Sequence, residues 1–158
     1  MRKLEGLCEI SSTFLTDYLD QTSIEGKRFV KKHVIDEDVC FTGYINEESQ
    51  PDGLGTMNFS QATGKDISIG RYSVGKRVGK ILQVREEGTV FCGMCLDDLA
   101  YGKGEEITYD DGHYIGEYKN GEFSGTGKFL YRKDPEDVVE SYYEGDFKHG
   151  ESNGYGTE

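Results

Sequence analysis

Apolar and polar residues alternate along most of this chain, and glycine interrupts the alternation at recurring intervals. The clearest stretch is YIGEYKNGEFSGTGKFLY, beginning at Tyr114. Tyr114, Gly116 and Tyr118 fall at period two, which puts all three on one face of a strand. A glycine between two rings leaves a gap that a neighbouring ring can cover. A glycine-rich turn is expected from Gly121 to Gly125, where glycine reaches backbone angles that are costly for other residues. Gly127, Phe129 and Tyr131 then mark a second strand. The unit therefore reads as a β-hairpin.

The same pattern recurs along the chain. SIGRYSVGKRVGKIL matches from Ser68, FCGMCLDDLAYGKGEEITY from Phe91 and YEGDFKHGESNGYG from Tyr143; FTGYINEESQPDGLGTMNF matches from Phe41 with one extra residue. Units thus start near 41, 68, 91, 114 and 143, two steps being 23 residues and the others 27 and 29. The 27-residue step absorbs the residue before Gly53 and a wider stretch around Gln61 to Asp66. The 29-residue step absorbs RKDPEDVVES, whose Asp134-Pro135 and acidic run read as a solvated loop. One hairpin alone is marginal in water, so successive hairpins must stack side by side to bury their rings.

This pattern resembles the MORN repeat (membrane occupation and recognition nexus), with its Tyr-x-Gly-x-aromatic-x-x-Gly-x-x-x-Gly-x-Gly template, over residues 41–158. The departures are Ser68 and Cys95 at aromatic positions, Ile81 at the last glycine, and Glu48 and Asp98 at the first turn glycine. The second unit fits least well, and its turn is expected to be rebuilt. The resemblance implies an all-β fold: an elongated, single-layer, twisted antiparallel sheet of tandem hairpins with one ring-lined concave face.

Residues 1–40 match poorly and are expected to form a cap over the first hairpin, irregular or short-helical, or a degenerate repeat. Leu4-Glu5-Gly6 followed by Cys8 suits a repeat start. Ser12-Thr13 ahead of Phe14, Leu15, Tyr18 and Leu19 suits a capped amphipathic helix, and KRFVKKHVID suits a strand. At the other end, Gly154-Tyr155-Gly156-Thr157-Glu158 stands where a second strand should begin, so the last unit is expected to be incomplete. That would make the chain a piece of a longer protein, or leave it ending on an exposed strand open to pairing.

Composition narrows the function. The chain has 158 residues, 22 of them Gly, with 11 Tyr, 8 Phe and no Trp, and apolar residues make up 35%. So many large rings argue against disorder despite the low apolar share. The formal charge of −12 disfavours nucleic acid and anionic lipid, which call for clustered Lys and Arg. No apolar run suits a signal peptide or a membrane span, so an intracellular location with four reduced thiols is expected. By resemblance it would be cytoplasmic, near cytoskeleton or membrane. Asn58-Phe59-Ser60, a glycosylation sequon, should be silent there.

Motifs for chemistry do not hold up. GEFSGTGK (121–128) is superficially a phosphate loop, but Glu122 stands where glycine is needed and Phe129 where Ser or Thr is needed. Cys92-Gly-Met-Cys95 has metal or redox spacing, yet residues three apart on a strand face opposite ways. A zinc site with His113 is the weaker alternative to two half-buried thiols. GEEITYDDG (104–112) resembles a short stretch of SET-domain lysine methyltransferases but runs in phase with the repeat. His33, His113 and His149 lie far apart, and the latter two fall at junction or turn positions that suit solvated histidine. No nucleophile–base set stands out, so no enzyme activity, cofactor or metal is expected.

Two candidate surfaces follow. Tyr72, Phe91, Tyr114, Tyr118, Tyr143 and Phe147 are candidate anchors of a groove that binds a peptide or helix of a protein partner; equally, they suit a core. Arg71, Lys76, Arg77, Lys80 and Arg85 are a candidate anion or partner patch, with Lys76, Arg77 and Lys80 expected at one hairpin tip. The next unit, 91–113, carries Asp97, Asp98, Glu105, Glu106, Asp110 and Asp111 against Lys103. Solvated strand faces explain this charge pattern, as does pairing between opposite-charge units of two copies. The leading expectation is a non-catalytic interaction module. The alternatives are a regulatory arm of a larger enzyme, since relatives of this repeat accompany lipid kinases and lysine methyltransferases, and weak anionic phospholipid binding through 68–85.

Overall fold

A computed structural model describes residues 25–61, 64–109, 112–131 and 141–157. They form a single antiparallel sheet of eleven strands lying side by side in chain order. The strands are β1 (Arg28–Asp36), β2 (Val39–Ile45), β3 (Pro51–Gln61), β4 (Gly64–Ser73), β5 (Lys76–Val84), β6 (Val90–Leu96), β7 (Leu99–Ile107), β8 (Gly112–Lys119), β9 (Glu122–Tyr131), β10 (Tyr142–Lys148) and β11 (Glu151–Thr157). The described residues contain no helix. The short helix expected over Ser12–Leu19, and the loop expected over most of RKDPEDVVES, lie outside the described residues.

Residues Lys27 to Asp36 were expected to suit a strand, and Arg28–Asp36 is one: β1 pairs along the outer edge of β2, from Arg28↔Ile45 to Asp36↔Val39. That part of the expected cap is therefore a further strand of the sheet. The last unit was expected to stop as its second strand began; instead β11 runs for seven residues and pairs with β10 from Lys148↔Glu151 to Glu144↔Thr157.

Glycines set the register. Gly43, Gly55 and Gly70 are mutual cross-strand partners, as are Gly93, Gly104, Gly116, Gly127, Gly145 and Gly156, with Ile81 joining the two sets. The result is one transverse row across the sheet. The rings need that row, because the first aromatic of a unit lies flat along its strand over the glycine two residues on. A Cβ on Gly93 would stand 2.7 Å from Phe91 Cζ, and one on Gly127 would stand 2.6 Å from the Tyr114 hydroxyl. The Tyr114 hydroxyl reaches past the row and donates to the Glu117 carbonyl at 2.9 Å; Tyr143 does the same to Asp146 at 3.1 Å. One ring thus covers the glycine of its own strand and reaches the row glycine of the strand beside it, as Tyr114 does for Gly116 and Gly127.

The turns are tighter than expected. Val74-Gly75, Asp97-Asp98, Asn120-Gly121 and His149-Gly150 are two-residue connections with both residues at positive φ, the type I′ geometry whose twist matches that of paired strands. Gly125 is not in the turn. It sits inside β9 at φ +64, where the register with β8 slips between Gly116 and Glu117. Such a bulge increases local twist, and the slip recurs between β4 and β5, β6 and β7, and β10 and β11.

Successive turns are also latched together. The amide N–H of Gly75 donates to the Pro51 carbonyl at 2.8 Å, Asp98 to Arg77 at 3.2 Å, Gly121 to Ala100 at 2.9 Å and Gly150 to Phe123 at 3.1 Å. The substantial contacts between strands all join chain neighbours, as in other quasi-one-dimensional repeat arrays.

The core lies on the ring face as two clusters. One holds Phe41, Ile45, Met57 and Tyr72; the other holds Ile81, Phe91, Cys95, Tyr114, Tyr118, Tyr143 and Phe147. Within them the first ring of one unit meets the second ring of the next edge to face: Phe41–Tyr72 at 5.1 Å, Phe91–Tyr118 at 5.4 Å and Tyr114–Phe147 at 5.0 Å. Each such pair contributes about 0.5–1.5 kcal/mol beyond the burial of its area.

Candidate functional site: the seam in the ring face

The six candidate anchor rings are the core itself. Tyr72 is 1% exposed, and the least buried of the six, Tyr143, is 7% exposed. Burial pushes the phenols of Tyr72 and Tyr114 up to about 12, with hydrogen bonds partly offsetting it. Burial also raises Tyr118, and the nearby Glu106 carboxylate adds to the rise. Little of these rings is left for a partner to touch.

The basic residues are separated by the strand geometry. Lys76 and Arg77 open β5 beside its turn, while Lys80 follows the Gly79 bulge and Arg85 lies past the far end of the strand, so the expected cluster at one tip does not form. Lys76 lies 3.7 Å from Asp97 and Arg85 lies 3.9 Å from Glu87. Arg71 and Lys80 have partners within the chain.

Arg77 is built in. Its Nε donates to Asp98 Oδ1 at 3.0 Å, Nη2 to the Asp98 carbonyl at 2.9 Å and Nη1 to Gln83 Oε1 at 2.8 Å. Its backbone N–H also donates to Asp98 Oδ1, at 2.9 Å. Asp98 stands where other units place the first turn glycine. At φ 71 it adopts the left-handed conformation that Asp tolerates better than most residues. Here, then, the missing glycine supplies a clamp between two hairpins. The opposite charges of the second and third units meet inside one molecule.

This clamp crosses the place where the ring row lapses. Ser68, fully buried, holds the first ring position of the second unit, and Cys95 holds the second ring position of the third. Ile81, also fully buried, stands in the glycine row. A Cβ on its partner Gly70 would stand 2.6 Å from Ile81 Cδ1. The side chain of Ile81 thus covers Gly70, as rings cover glycines in other units.

Beside this seam the ring face opens into a depression of about 410 Å³. Met57, Phe59 and Tyr72 form its apolar wall, and Asp66, Arg77, Gln83 and Asp98 its polar rim. Gln83 pairs with both Ser68 and Phe91, which places it on the ring face, held by Arg77. Glu106 holds the equivalent position one unit on, between Phe91 and Tyr114. Burial raises its carboxyl above the ordinary range, and Arg85 partly opposes the rise.

The sequence reading placed Tyr72 and Arg77 in two separate sites, and both line this one. It missed Gln83 and counted Glu106 with the solvated acids. Phase would have found both, because each lies two residues beyond its glycine-row position, as Met57 and Phe129 do.

The remaining candidate groups are dispersed. Cys95 is buried on the ring face, Cys92 lies on the opposite face, and burial pushes both thiols up. His113 is not simply solvated, since its Nε2 lies 2.6 Å from Glu105 Oε1. Among the described residues, no group of three or more His, Cys, Asp or Glu could hold a metal ion. The family model of the MORN repeat matches residues 114–134 and 143–158. No curated protein matches the chain.

Proposed function

This chain is a MORN-repeat protein, and we propose that it acts as a non-catalytic scaffold that binds a partner protein on the ring face. The observation that carries this reading is the depression at the seam, with its apolar wall of Met57, Phe59 and Tyr72 and polar rim of Asp66, Arg77, Gln83 and Asp98. A depression of that kind admits a partner side chain at its mouth, and the fixed polar rim orients it. The buried rings serve as the rigid floor that keeps these groups in place, and partner contact falls to the rim. The module would work in the cytoplasm, at cytoskeleton or membrane. Its ligand is better read as protein than as anionic lipid, because Lys76, Arg77 and Arg85 already face Asp97, Asp98 and Glu87.

Site-directed photo-crosslinking in cells tests this. A photoreactive side chain replacing Asp66, on the rim, should capture a partner protein. One replacing Glu144, on the opposite face, should not. Equal capture from both faces, or none from Asp66, would refute the assignment.

A further inference from the structure

We propose that β1, the outermost of the described strands on its side of the sheet, acts as a terminator, covering on β2 a latent edge through which two copies of this chain would otherwise pair. This stands apart from the partner site, since β1 lies at the far side of the first cluster.

β2 has the character of a strand that would pair readily if left at an edge. From Cys40 to Ile45 it alternates between half-buried and buried positions, and Phe41 and Ile45 are fully buried. Toward β3 it pairs continuously from Val39↔Phe59 to Gly43↔Gly55. A regular apolar strand of this kind, left at an edge, is a template for pairing with another chain.

β1 presents the opposite character. None of its nine residues is buried. Its register against β2 breaks twice, between Val30 and His33 and between Val34 and Asp36. At the first break three steps along β1 match two along β2, so one residue is extra. Lys32 adopts φ 50 there, and its N–H turns to the Thr42 hydroxyl at 3.1 Å. Lys31 and Lys32 are both exposed, and Lys27 through His33 contain no acid in a chain of net charge −12. Bulges and lysines are both means of blunting a sheet edge. A second copy laid against β1 would set lysine near lysine, which is destabilising, along a backbone too kinked for a continuous ladder.

Phe29, Val34 and Ile35 are nevertheless 54%, 69% and 44% exposed. Without the kink and the charge, β1 would itself be an apolar edge.

The test uses the full chain and sedimentation velocity over a concentration series. Deleting Lys32, to remove the extra residue, together with Lys31→Val should produce dimers or larger species at concentrations where the unaltered chain is monomeric. The apparent dissociation constant should fall about tenfold or more. Lys31→Val with Lys32→Gly keeps the bulge, suits the positive φ, and should associate to a lesser degree. Lys103→Val removes one charge on another strand and should leave the chain as it was. Circular dichroism and melting confirm that each variant is folded. Association in neither β1 variant would overturn the proposal. So would an unaltered chain whose β1 amides gain exchange protection as concentration rises.

Discussion

Ser68 and Cys95 occupy the two positions that in the other units hold an edge-to-face ring pair. The equivalent pairs are Phe41–Tyr72, Phe91–Tyr118 and Tyr114–Phe147. The loss of both rings is concerted with Ile81, which covers Gly70 in place of a ring. Ser68→Tyr alone should overpack against Ile81 and cost about 1–3 kcal/mol. Ile81→Gly alone should leave a cavity and cost about 2–5 kcal/mol. The triple variant Ser68→Tyr, Ile81→Gly, Cys95→Phe should be more stable than the sum of its single changes, by about 0.5–3 kcal/mol for each coupled pair. Urea denaturation measures this, and strict additivity would show the three sites to be independent.

The glycine row and the turn glycines should respond very differently to a methyl group. On Gly116 a Cβ would meet the Tyr114 ring and stand 2.7 Å from the Gly127 Cα, so backbone would have to move. Gly116→Ala should cost well over 3 kcal/mol. On Gly150 a Cβ meets nothing within 4 Å, and only φ +84 opposes it. Gly150→Ala should cost about 1–2 kcal/mol. Thermal melting of the two variants separates close approach from conformational strain.

Tyr118 and Tyr114 should part company when their hydroxyls are removed. The Tyr118 hydroxyl is buried with no hydrogen-bond partner among the described residues. Tyr118→Phe should therefore be neutral or stabilising, by up to about 1 kcal/mol. Tyr114→Phe loses a bond to the Glu117 carbonyl and should cost about 1 kcal/mol.

Buried phenols should also make the fold sensitive to alkaline pH. Tyr72 and Tyr114 are raised from 10.0 to about 12, so between those values the unfolded chain loses phenolic protons that the fold retains. Their contribution is fully present below pH 10 and falls as pH rises to 12, by about 1.4 kcal/mol per pH unit for each phenol. Denaturation curves from pH 8 to 12 should show that slope, and it should be shallower in Tyr72→Phe.

At the turn clamp, Asp98→Gly loses the side-chain bonds to Arg77 but relieves the backbone at φ 71. Asp98→Ala loses the bonds and keeps the strain. The alanine variant should be less stable than the glycine variant by about 1 kcal/mol. Equal melting temperatures would mean that Asp98 carries no strain.

Much of the architecture was legible because one pattern served both levels. Ring–glycine–ring at period two defines the strand, and the same glycines define the register, so the strands of the units starting at 41, 68, 91, 114 and 143 could be placed. The turn was drawn too wide because Gly125 and its equivalents look like turn residues, whereas their positive φ serves a bulge within the strand. The seam was hidden for a different reason. Ser68, Ile81 and Cys95 are separate mismatches along the chain, and only cross-strand neighbourhood makes them a single substitution. Arg77 and Asp98 were read as opposite charges of two units; their union needed the turn-to-turn latch, which has no signature in either unit alone.

The glycine row also bears on how such a chain can change in length. Gly93, Gly104 and Gly116 stand abreast, and the 23 residues from one first-strand glycine to the next form a complete hairpin. Duplicating or excising a segment between equivalent glycines returns every flanking strand to the same alignment with a neighbour of the same kind. Reach can therefore be gained or lost by whole modules without inventing a new junction. The second and third units, bound to each other by Ser68, Ile81, Cys95 and the Arg77–Asp98 clamp, form the one pair in the described array that must be inherited together.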